Sequence, residues 1–183
     1  MSPLPDTPVQ TLHEGEFLRL LRHGHWEYVQ RQTATGAAAL IAVTDDDEIV
    51  LVEQYRIPVQ AHTIELPAGV IGDSADVAGE SALATARREL LEETGFDCAA
   101  VEPAFDGPSS PGLTSETSHL VRARGLTRVH AGGGVDGENI TVHVVPLASV
   151  HPWLRAQQAA GKPVEPKVWA ALYWLLHERG SGF

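Results

Sequence analysis

Apolar and polar positions form short alternating or continuous runs that predict β-strands on both sides of one central helix. These runs lie at residues 16–21, 25–31, 36–43, 49–54, 63–66, 118–123 and 140–145. The runs at 36–43 and 49–54 flank three consecutive aspartates, a pattern typical of a hairpin with an acidic turn. The proline-rich first ten residues, residues 107–116 and the glycine-rich residues 131–137 are predicted to be irregular or loops.

Three segments have the composition and spacing of helices. Residues 80–94 are dense in Ala, Leu, Glu and Arg, which are strong helix formers, and Gly95 provides a stop. Residues 148–160 and 166–179 follow the last predicted strand. Four apolar side chains would form one stripe on the final helix: Val168, Leu172, Leu175 and Leu176. Strands before and after a central helix predict an α+β fold with a mixed sheet.

Composition and charge narrow the functional classes. The 183 residues, 43% hydrophobic and 20% charged, are enough for one globular domain, alone or with a small extension. A formal net charge of -11 repels nucleic acid, although divalent cations allow such a protein to bind phosphate substrates. Cys98 is the single cysteine, which excludes an intrachain disulfide. Without a signal peptide or an apolar run of about 20 residues, we expect a cytoplasmic protein that does not bind membranes.

Three carboxylates of the central helix share one arc. Glu89 and Glu93 are one turn apart, and Glu92 lies three residues from Glu89. Clustered oxygen ligands suit Mg²⁺ or Mn²⁺, and Arg88 is placed to hold the acids by an ion pair. A solvent-exposed acidic face is the alternative. Three apolar side chains beside the arc are expected to bury against a sheet: Leu83, Ala86 and Leu90.

The wider segment decides between these alternatives, because it resembles the Nudix box. That motif is Gly, five residues, Glu, seven residues, then Arg-Glu-aliphatic-any-Glu-Glu-any-Gly-aliphatic. Glu80 stands eight positions before Arg88, and Phe96 occupies the final position. The other matching positions are Glu89, Leu90, Glu92, Glu93 and Gly95. The resemblance to the Nudix family implies an α/β/α sandwich with a mixed β-sheet, plus N-terminal antiparallel strands.

The box glycine is the one departure from this pattern. Ser74 stands six positions before Glu80, where the family has glycine. Gly69 is the better candidate, because residues 65–69 (Glu-Leu-Pro-Ala-Gly) look like the family's strand end. Ten residues then separate Gly69 from Glu80 instead of five. We interpret this as a five-residue insertion around residues 72–78, which leaves the helix spacing unchanged.

Shorter matches indicate a subfamily. Residues 53–56 (Glu-Gln-Tyr-Arg) are similar to a run in ADP-ribose pyrophosphatases, and residues 110–116 look like their Ser-Pro-Gly loop. Pro111 lies sixteen positions after Gly95, which is the subfamily's spacing. Residues 138–146 resemble its loop and strand with a catalytic glutamate. The resemblance implies a hydrolase that cleaves the pyrophosphate of a nucleoside diphosphate sugar, with ADP-ribose expected first.

The resemblance also implies a metal site. Mg²⁺ is the expected cofactor, with Mn²⁺ as an alternative. The implied ligands are the carboxylates of Glu89 and Glu93, the carboxylate of Glu92 directly or through water, and the backbone carbonyl of Ala68. Glu92 and Arg88 are also counted among the catalytic residues.

Substrate contacts and the general base are expected outside the box. Arg56 is implied to hold phosphate oxygens, and Glu116 is expected to contact substrate. Glu138 is the candidate general base, because the box glutamates should be occupied with metal; Asp136 and Glu116 are the alternatives. Trp26 and Tyr28 alternate on a predicted strand and are candidates for stacking on the nucleobase, although ordinary strand packing is the alternative.

The expected organisation has two parts and leaves rival functions open. Residues 1–38 are predicted to form a β-strand extension that mediates a homodimer, and residues 39–183 form the Nudix domain. One rival is a Nudix hydrolase acting on a nucleoside triphosphate, coenzyme A or a dinucleoside polyphosphate. The other is a Nudix module that binds a nucleotide sugar without cleaving it, against which the intact glutamates argue.

Overall fold

The computed structural model describes residues 7–34, 36–72, 77–135 and 137–180. Within these ranges the strands are β1 (Val9–Glu14), β2 (Leu18–His23), β3 (Trp26–Arg31), β4 (Gly36–Ala42), β5 (Glu48–Arg56), β6 (Ala61–Glu65), β7 (Ala68–Val70), β8 (Phe96–Pro108), β9 (Thr117–Arg128) and β10 (Thr141–Pro146). The α-helices are α1 (Ala82–Thr94), α2 (Val150–Ala159) and α3 (Pro166–Glu178). None of these helices is long and apolar enough to cross a membrane.

The strands form three sheets. An N-terminal antiparallel sheet has the order β1-β2-β3, and a second antiparallel sheet has the order β10-β5-β6. The third has the order β7-β4-β9-β8 and is mixed, because β4 pairs with β9 in parallel and with β7 antiparallel. The predicted α+β class with a mixed sheet and N-terminal antiparallel strands is confirmed.

Strand β4 separates two hydrophobic cores. Successive side chains of a strand point to opposite faces. Ala38 and Leu40 therefore pack toward α1, whereas Ala39 and Ile41 belong to the core that α2 and α3 cover. Because helices lie on both faces of the sheets, the α/β/α sandwich is also confirmed. The continuous apolar run of β4 is the sequence signature of a strand buried on both faces.

Helix α1 ends at Thr94, as predicted, and begins at Ala82, two residues after the predicted start. The Ser81 hydroxyl accepts a hydrogen bond from the Ala84 N–H at 3.2 Å, and Gly95 ends the helix with a φ of 73°. An added Cβ at Gly95 would lie 2.2 Å from the His130 carbonyl oxygen, so only glycine fits. The apolar side chains beside the acidic arc bury as expected, Ala86 and Leu90 fully and Leu83 partly.

The predicted hairpin of β4 and β5 is wrong. The two strands belong to different sheets, and one bridge between Val43 and Ile49 joins their ends. Both edges of β4 are occupied, by β7 and by β9, so β5 cannot pair along it. Strand β5 pairs with β6 and β10 instead.

Three strands were not predicted from the sequence: β1, β7 and β8. Strand β1 begins within the first ten residues, which were expected to be irregular, and all six of its residues are exposed. Strand β8 contains proline and glycine, which are typical of loops, yet it pairs with β9 along most of its length. Its position at the edge of the four-stranded sheet explains why it tolerates proline. Antiparallel pairing with the next strand along the chain, not side-chain periodicity, forms both β1 and β8.

The apolar stripe of α3 is rotated slightly from the prediction. Val168 and Leu175 are buried as expected and Leu172 is partly buried, but Leu176 is 50% exposed. Ala171 takes its place in the core. Positions 168, 171 and 175 have the three- and four-residue spacing of one helix face, and residue 176 lies beside that face.

Candidate active site

Glu93 is the buried member of the acidic cluster on α1. Its side chain accepts a hydrogen bond from the Ala68 N–H at 3.0 Å, which ties α1 to the start of β7. Burial raises the pKa of Glu93 to about 8, because the Ala68 hydrogen bond only partly offsets the cost of charging a buried carboxyl. The neighbouring carboxylates Glu89 and Glu138 raise the pKa of Glu93 further.

Arg88 pairs with three acids at once. Its Nη1 lies 2.8 Å from Glu89 and 2.9 Å from Glu92, and its Nη2 lies 3.3 Å from Glu80. These are the ion pairs expected of a residue that holds the acidic cluster together. The box residues Glu80 and Arg88 therefore contact each other across eight positions of sequence.

The acidic cluster suits a hard divalent cation. Among the described residues, no three His, Cys, Asp or Glu side chains converge closely enough to form a complete ligand set. Glu89 and Glu92 are each paired with Arg88. The pKa of Glu89 is also raised, chiefly by burial. A buried carboxylate is costly to ionise without a nearby positive charge, and Glu93 contacts a backbone N–H. Carboxylate oxygens such as those of Glu89, Glu92 and Glu93 are the hard donors that Mg²⁺ or Mn²⁺ prefers.

The glycine-rich loop after β9 is attached to the end of α1. The Gly133 N–H donates to the Glu93 carbonyl oxygen at 2.8 Å, and the Gly134 N–H donates to the Glu92 carbonyl oxygen at 3.1 Å. These carbonyls belong to the last turn of α1, which leaves them without partners inside the helix. The loop therefore satisfies the helix end that carries the acidic cluster.

The same loop brings Glu138 near the acids of α1. The Glu138 carboxylate accepts a hydrogen bond from the Val135 N–H at 3.2 Å. Its charge contributes to the raised pKa values of both Glu89 and Glu93, after burial as the leading cause. A Cβ at Gly134 would lie 2.6 Å from Glu138, so this turn depends on glycine. The alternative base Asp136 lies outside the described residues.

A cavity of about 500 Å³ lies beside the acidic cluster. Ala68 and Gly69 of β7 line it, as do Arg56 of β5 and Glu116 of the loop before β9. Arg31 of β3 also lines it. The structure therefore brings the predicted substrate residues Arg56 and Glu116 to one cavity, next to the strand that contacts Glu93.

Arg56 is oriented by a buried acid that the sequence did not single out. Its Nε and Nη2 atoms donate to the two carboxylate oxygens of Glu65 at 2.8 and 2.5 Å, a bidentate pair. The Thr63 hydroxyl donates to the same carboxylate. The hydrogen bonds to Glu65 are the leading cause of the raised pKa of Arg56. With its side chain 44% exposed, Arg56 presents a fixed guanidinium to the cavity.

Glu116 is held by two partners. Arg31 forms an ion pair with it across 85 positions, and the Ser109 hydroxyl donates to it at 3.0 Å. Arg31, like Glu65, was missed from the sequence. The sequence offered only one signal for Arg31, a charged residue within a predicted strand. That signal does not distinguish a residue that binds a ligand from one that stabilises the fold.

Trp26 and Tyr28 are not brought to this cavity within one chain. Strand β3 is joined to the loop before β9 at Val29, whose N–H donates to the Leu113 carbonyl at 2.8 Å. This attachment brings only the end of β3, at Arg31, to the cavity. Trp26 is 52% exposed and packs edge-to-face on His25. A stacking role for Trp26 and Tyr28 therefore stays a prediction.

Comparison with known proteins agrees with this geometry. A family model described as the NUDIX domain matches residues 34–172. The chain belongs to the Nudix family of hydrolases. The ADP-ribose pyrophosphatase of Escherichia coli (strain K12) is 33% identical over 191 residues, covering 93% of this chain and 87% of that protein.

Other similar proteins cover the chain to different extents. The methanol dehydrogenase activator of Bacillus methanolicus is 42% identical over 101 residues, covering 55% of this chain and 52% of that protein. The chain spans about half the length of the first curated relatives it matches. A solved structure described as an ADP compounds hydrolase superposes with a TM-score of 0.70 at 22% identity, covering 96% of this chain and 94% of the other. That likeness shows a shared fold.

The structure supports Gly69 as the glycine of the Nudix box. A Cβ built at Gly69 would lie 2.0 Å from the Oε1 atom of Glu89, so the glycine is needed for the glutamate to pack there. Residues 73–76 of the proposed insertion lie outside the described residues. Helix α1 begins at Ala82, after the insertion, so the spacing of its glutamates is unaffected.

Gly69→Ala is expected to displace the Glu89 carboxylate and to lower kcat by at least about tenfold, while the fold persists because a side-chain end can move. Hydrolysis rates and Mn²⁺ binding by titration measure the effect. Gly107→Ala is the matched control, because its added Cβ has no heavy atom within 4 Å. Unchanged Mn²⁺ affinity in Gly69→Ala would contradict a metal role for Glu89.

Proposed function

We propose that this Nudix protein hydrolyses the pyrophosphate bond of a nucleoside diphosphate sugar, with ADP-ribose as the first substrate to test. The products are a nucleoside monophosphate and a sugar phosphate. The observation that carries the proposal is the acidic cluster of α1 next to a cavity with Arg56 on its wall. The volume of about 500 Å³ is in the range of small-molecule sites. The similarity to the Escherichia coli ADP-ribose pyrophosphatase adds support.

Mg²⁺ is the proposed cofactor, with Mn²⁺ as the alternative. Glu89 and Glu93 hold it in this proposal, with Glu92 directly or through water and the Ala68 carbonyl as a further donor. When bound, the metal neutralises phosphate charge and favours ionisation of water. Arg88 keeps Glu89 and Glu92 in place through its ion pairs.

The protein's own groups position the reaction. Arg56, oriented by Glu65, binds oxygens of the diphosphate and stabilises their charge. The oxygen of a water molecule attacks one phosphorus, and the bridging P–O bond breaks with its electron pair leaving on the other phosphate. Glu138 accepts the proton of the attacking water. Glu116, held by Arg31, contacts the substrate from the N-terminal side of the cavity.

A homodimer built through residues 1–38 is part of the proposal. All six side chains of β1 are exposed, and Phe17 and Trp26 of the same sheet are 71% and 52% exposed. A sheet with so much exposed apolar surface is typical of an interface. In a dimer, Trp26 and Tyr28 then become available to the partner's cavity. Sedimentation of the full chain tests this, and a monomer at micromolar concentration contradicts it. The cytoplasmic location stays a prediction.

A substrate panel with product identification tests the proposed function. With Mg²⁺, ADP-ribose should yield AMP and ribose 5-phosphate, and EDTA should abolish turnover. Faster turnover of nucleoside triphosphates, coenzyme A or dinucleoside polyphosphates would indicate another Nudix branch. Tight binding of ADP-ribose without turnover would indicate a binding module.

A further inference from the structure

One wall of the cavity carries an ion pair that has no part in the mechanism above. Residues 163–167, which lead into α3, line the cavity, and within them Lys167 is ion-paired with Glu165. The two side chains are 28% and 25% exposed, so both are partly enclosed and still accessible. Polar atoms of such a pair can exchange partners with a ligand.

This wall is fixed to the sheet by backbone hydrogen bonds. The Ile64 N–H donates to the Pro163 carbonyl at 2.9 Å, and the Glu165 N–H donates to the Ile64 carbonyl at 2.9 Å. Lys162 adds an ion pair with Glu53 at 2.8 Å. The pair of Glu165 and Lys167 is therefore held rigidly beside β6, the strand that also carries Glu65.

Arg56 lines the same cavity as this pair. The raised pKa of Arg56 is due first to the hydrogen bonds it donates to Glu65, with further contributions from the charges of Glu93 and Glu165. If Arg56 holds the diphosphate, one end group of the substrate extends toward Glu165 and Lys167.

The side chains of residues 163–167 indicate whether this end group is the nucleoside or the sugar. Among the described residues lining the cavity there is no aromatic side chain on which a base could stack. A carboxylate beside an ammonium instead offers both acceptors and donors, which match the vicinal hydroxyls of a sugar. The aromatic candidates for a base, Trp26 and Tyr28, lie on β3 in the N-terminal sheet.

We infer that Glu165 and Lys167 form the sugar-recognising subsite of this enzyme and determine which sugar of a nucleoside diphosphate sugar is accepted. The inference rests on the proposed function. Glu165 accepts hydrogen bonds from sugar hydroxyls, and Lys167 donates to their oxygens. The two residues bind sugar and do not take part in the bond cleavage.

Two series of substrates test this subsite in the full chain. One series varies the sugar on a constant base: ADP-ribose, ADP-glucose, ADP-mannose and the methyl ester of ADP. The other varies the base on constant glucose: ADP-, GDP- and UDP-glucose. Lys167→Met and Glu165→Gln should each change the kcat/KM ratio of ADP-ribose to the methyl ester by roughly tenfold to a hundredfold, as expected for lost charged hydrogen bonds. The ratios in the base series should stay constant.

Three controls keep the result interpretable. Arg155→Ala removes an exposed cation of α2 outside the cavity and should leave every ratio unchanged. Lys167→Arg should restore part of the sugar preference. The double variant Glu165→Gln/Lys167→Met leaves no unpaired charge, so it should fold and still lose selectivity.

The outcomes separate this inference from the proposed function. Equal losses on all substrates, or a shift confined to the base series, overturn the subsite. If wild type hydrolyses none of the compounds, the proposed function fails. Calorimetric measurement of the binding of ADP-ribose and of the methyl ester then tests the sugar subsite independently. The subsite is supported if wild type binds ADP-ribose more tightly than the methyl ester of ADP and Lys167→Met abolishes this difference. It is overturned if wild type binds the two compounds with equal affinity.

Discussion

Replacing Glu93 with glutamine is expected to lower kcat by at least about a hundredfold while the protein stays folded. The substitution keeps the size of the side chain and its hydrogen bond from the Ala68 N–H, but removes the buried charge that faces the metal in our proposal. Steady-state rates at limiting and saturating Mg²⁺ measure the loss. Glu102→Gln, an exposed acid of β8 paired with Arg124, is the matched control.

The same variant has a second, opposite effect on the metal-free protein. The pKa of Glu93 is about 8 in the folded state against 4.5 for the free group, so between these values the folded state holds a proton that the unfolded state has lost. Stability therefore falls as pH rises through this window, by up to about 1.4 kcal/mol per pH unit. Glu93→Gln should lack that loss, and its Tm in EDTA should exceed that of wild type at pH 8.

Two results would contradict the assignment of Glu93. Full activity of Glu93→Gln at limiting Mg²⁺ would remove it from the metal site. The second is a Tm difference between wild type and Glu93→Gln in EDTA that stays constant from pH 5 to pH 8. That result would show that the Glu93 carboxyl is not held in its neutral form by burial.

Glu138→Gln is expected to lower kcat by about 10²–10⁴-fold, the usual contribution of a general base, with KM and Mg²⁺ dependence little changed. The amide cannot accept the proton of the attacking water. If the acidic limb of the pH–rate profile reports Glu138, that limb should disappear. Because Glu138 is exposed at the end of an anchored loop, the substitution should not alter the Tm by more than a degree or two.

The alternative bases are distinguished by the same assay. Asp136→Asn and Glu116→Gln are the comparison variants, and Glu116→Gln should raise KM because Glu116 borders the cavity with Arg31. A drop below about tenfold in Glu138→Gln would move the role to one of these acids or to a box glutamate.

Much of the fold was predictable because its elements carry local signals. Helix α1 has helix-forming residues and a capping glycine, and β4 has a continuous apolar run. Strands β1 and β8 were missed because their pairing partners, not their own patterns, make them strands. The hairpin at residues 44–47 was predicted wrongly because the sequence does not show that β7 and β9 already occupy both edges of β4.

The candidate site also contains residues that the sequence predicted and residues that it did not. The glutamates of α1 were predictable because one helix fixes their spacing, and Arg56 because it belongs to a recognisable run. Glu65 and Arg31 were not, because each acquires its position from a contact that folding creates. The bidentate pair of Arg56 and Glu65 crosses β5 and β6, and Arg31 meets Glu116 across 85 positions. Sequence spacing predicts chemistry within an element better than chemistry between elements.

The attachment of the glycine-rich loop to α1 has a consequence for isotope exchange. The amide protons of Gly133 and Gly134 are bonded to carbonyls of the last turn of α1. They should exchange with deuterated solvent as slowly as the amides of that turn, in one cooperative opening unit. The amide of Gly137, beyond the anchor, should exchange faster. Movement of Glu138 during turnover is then confined to the few residues after Gly134, while the preceding glycines open only when the end of the helix does.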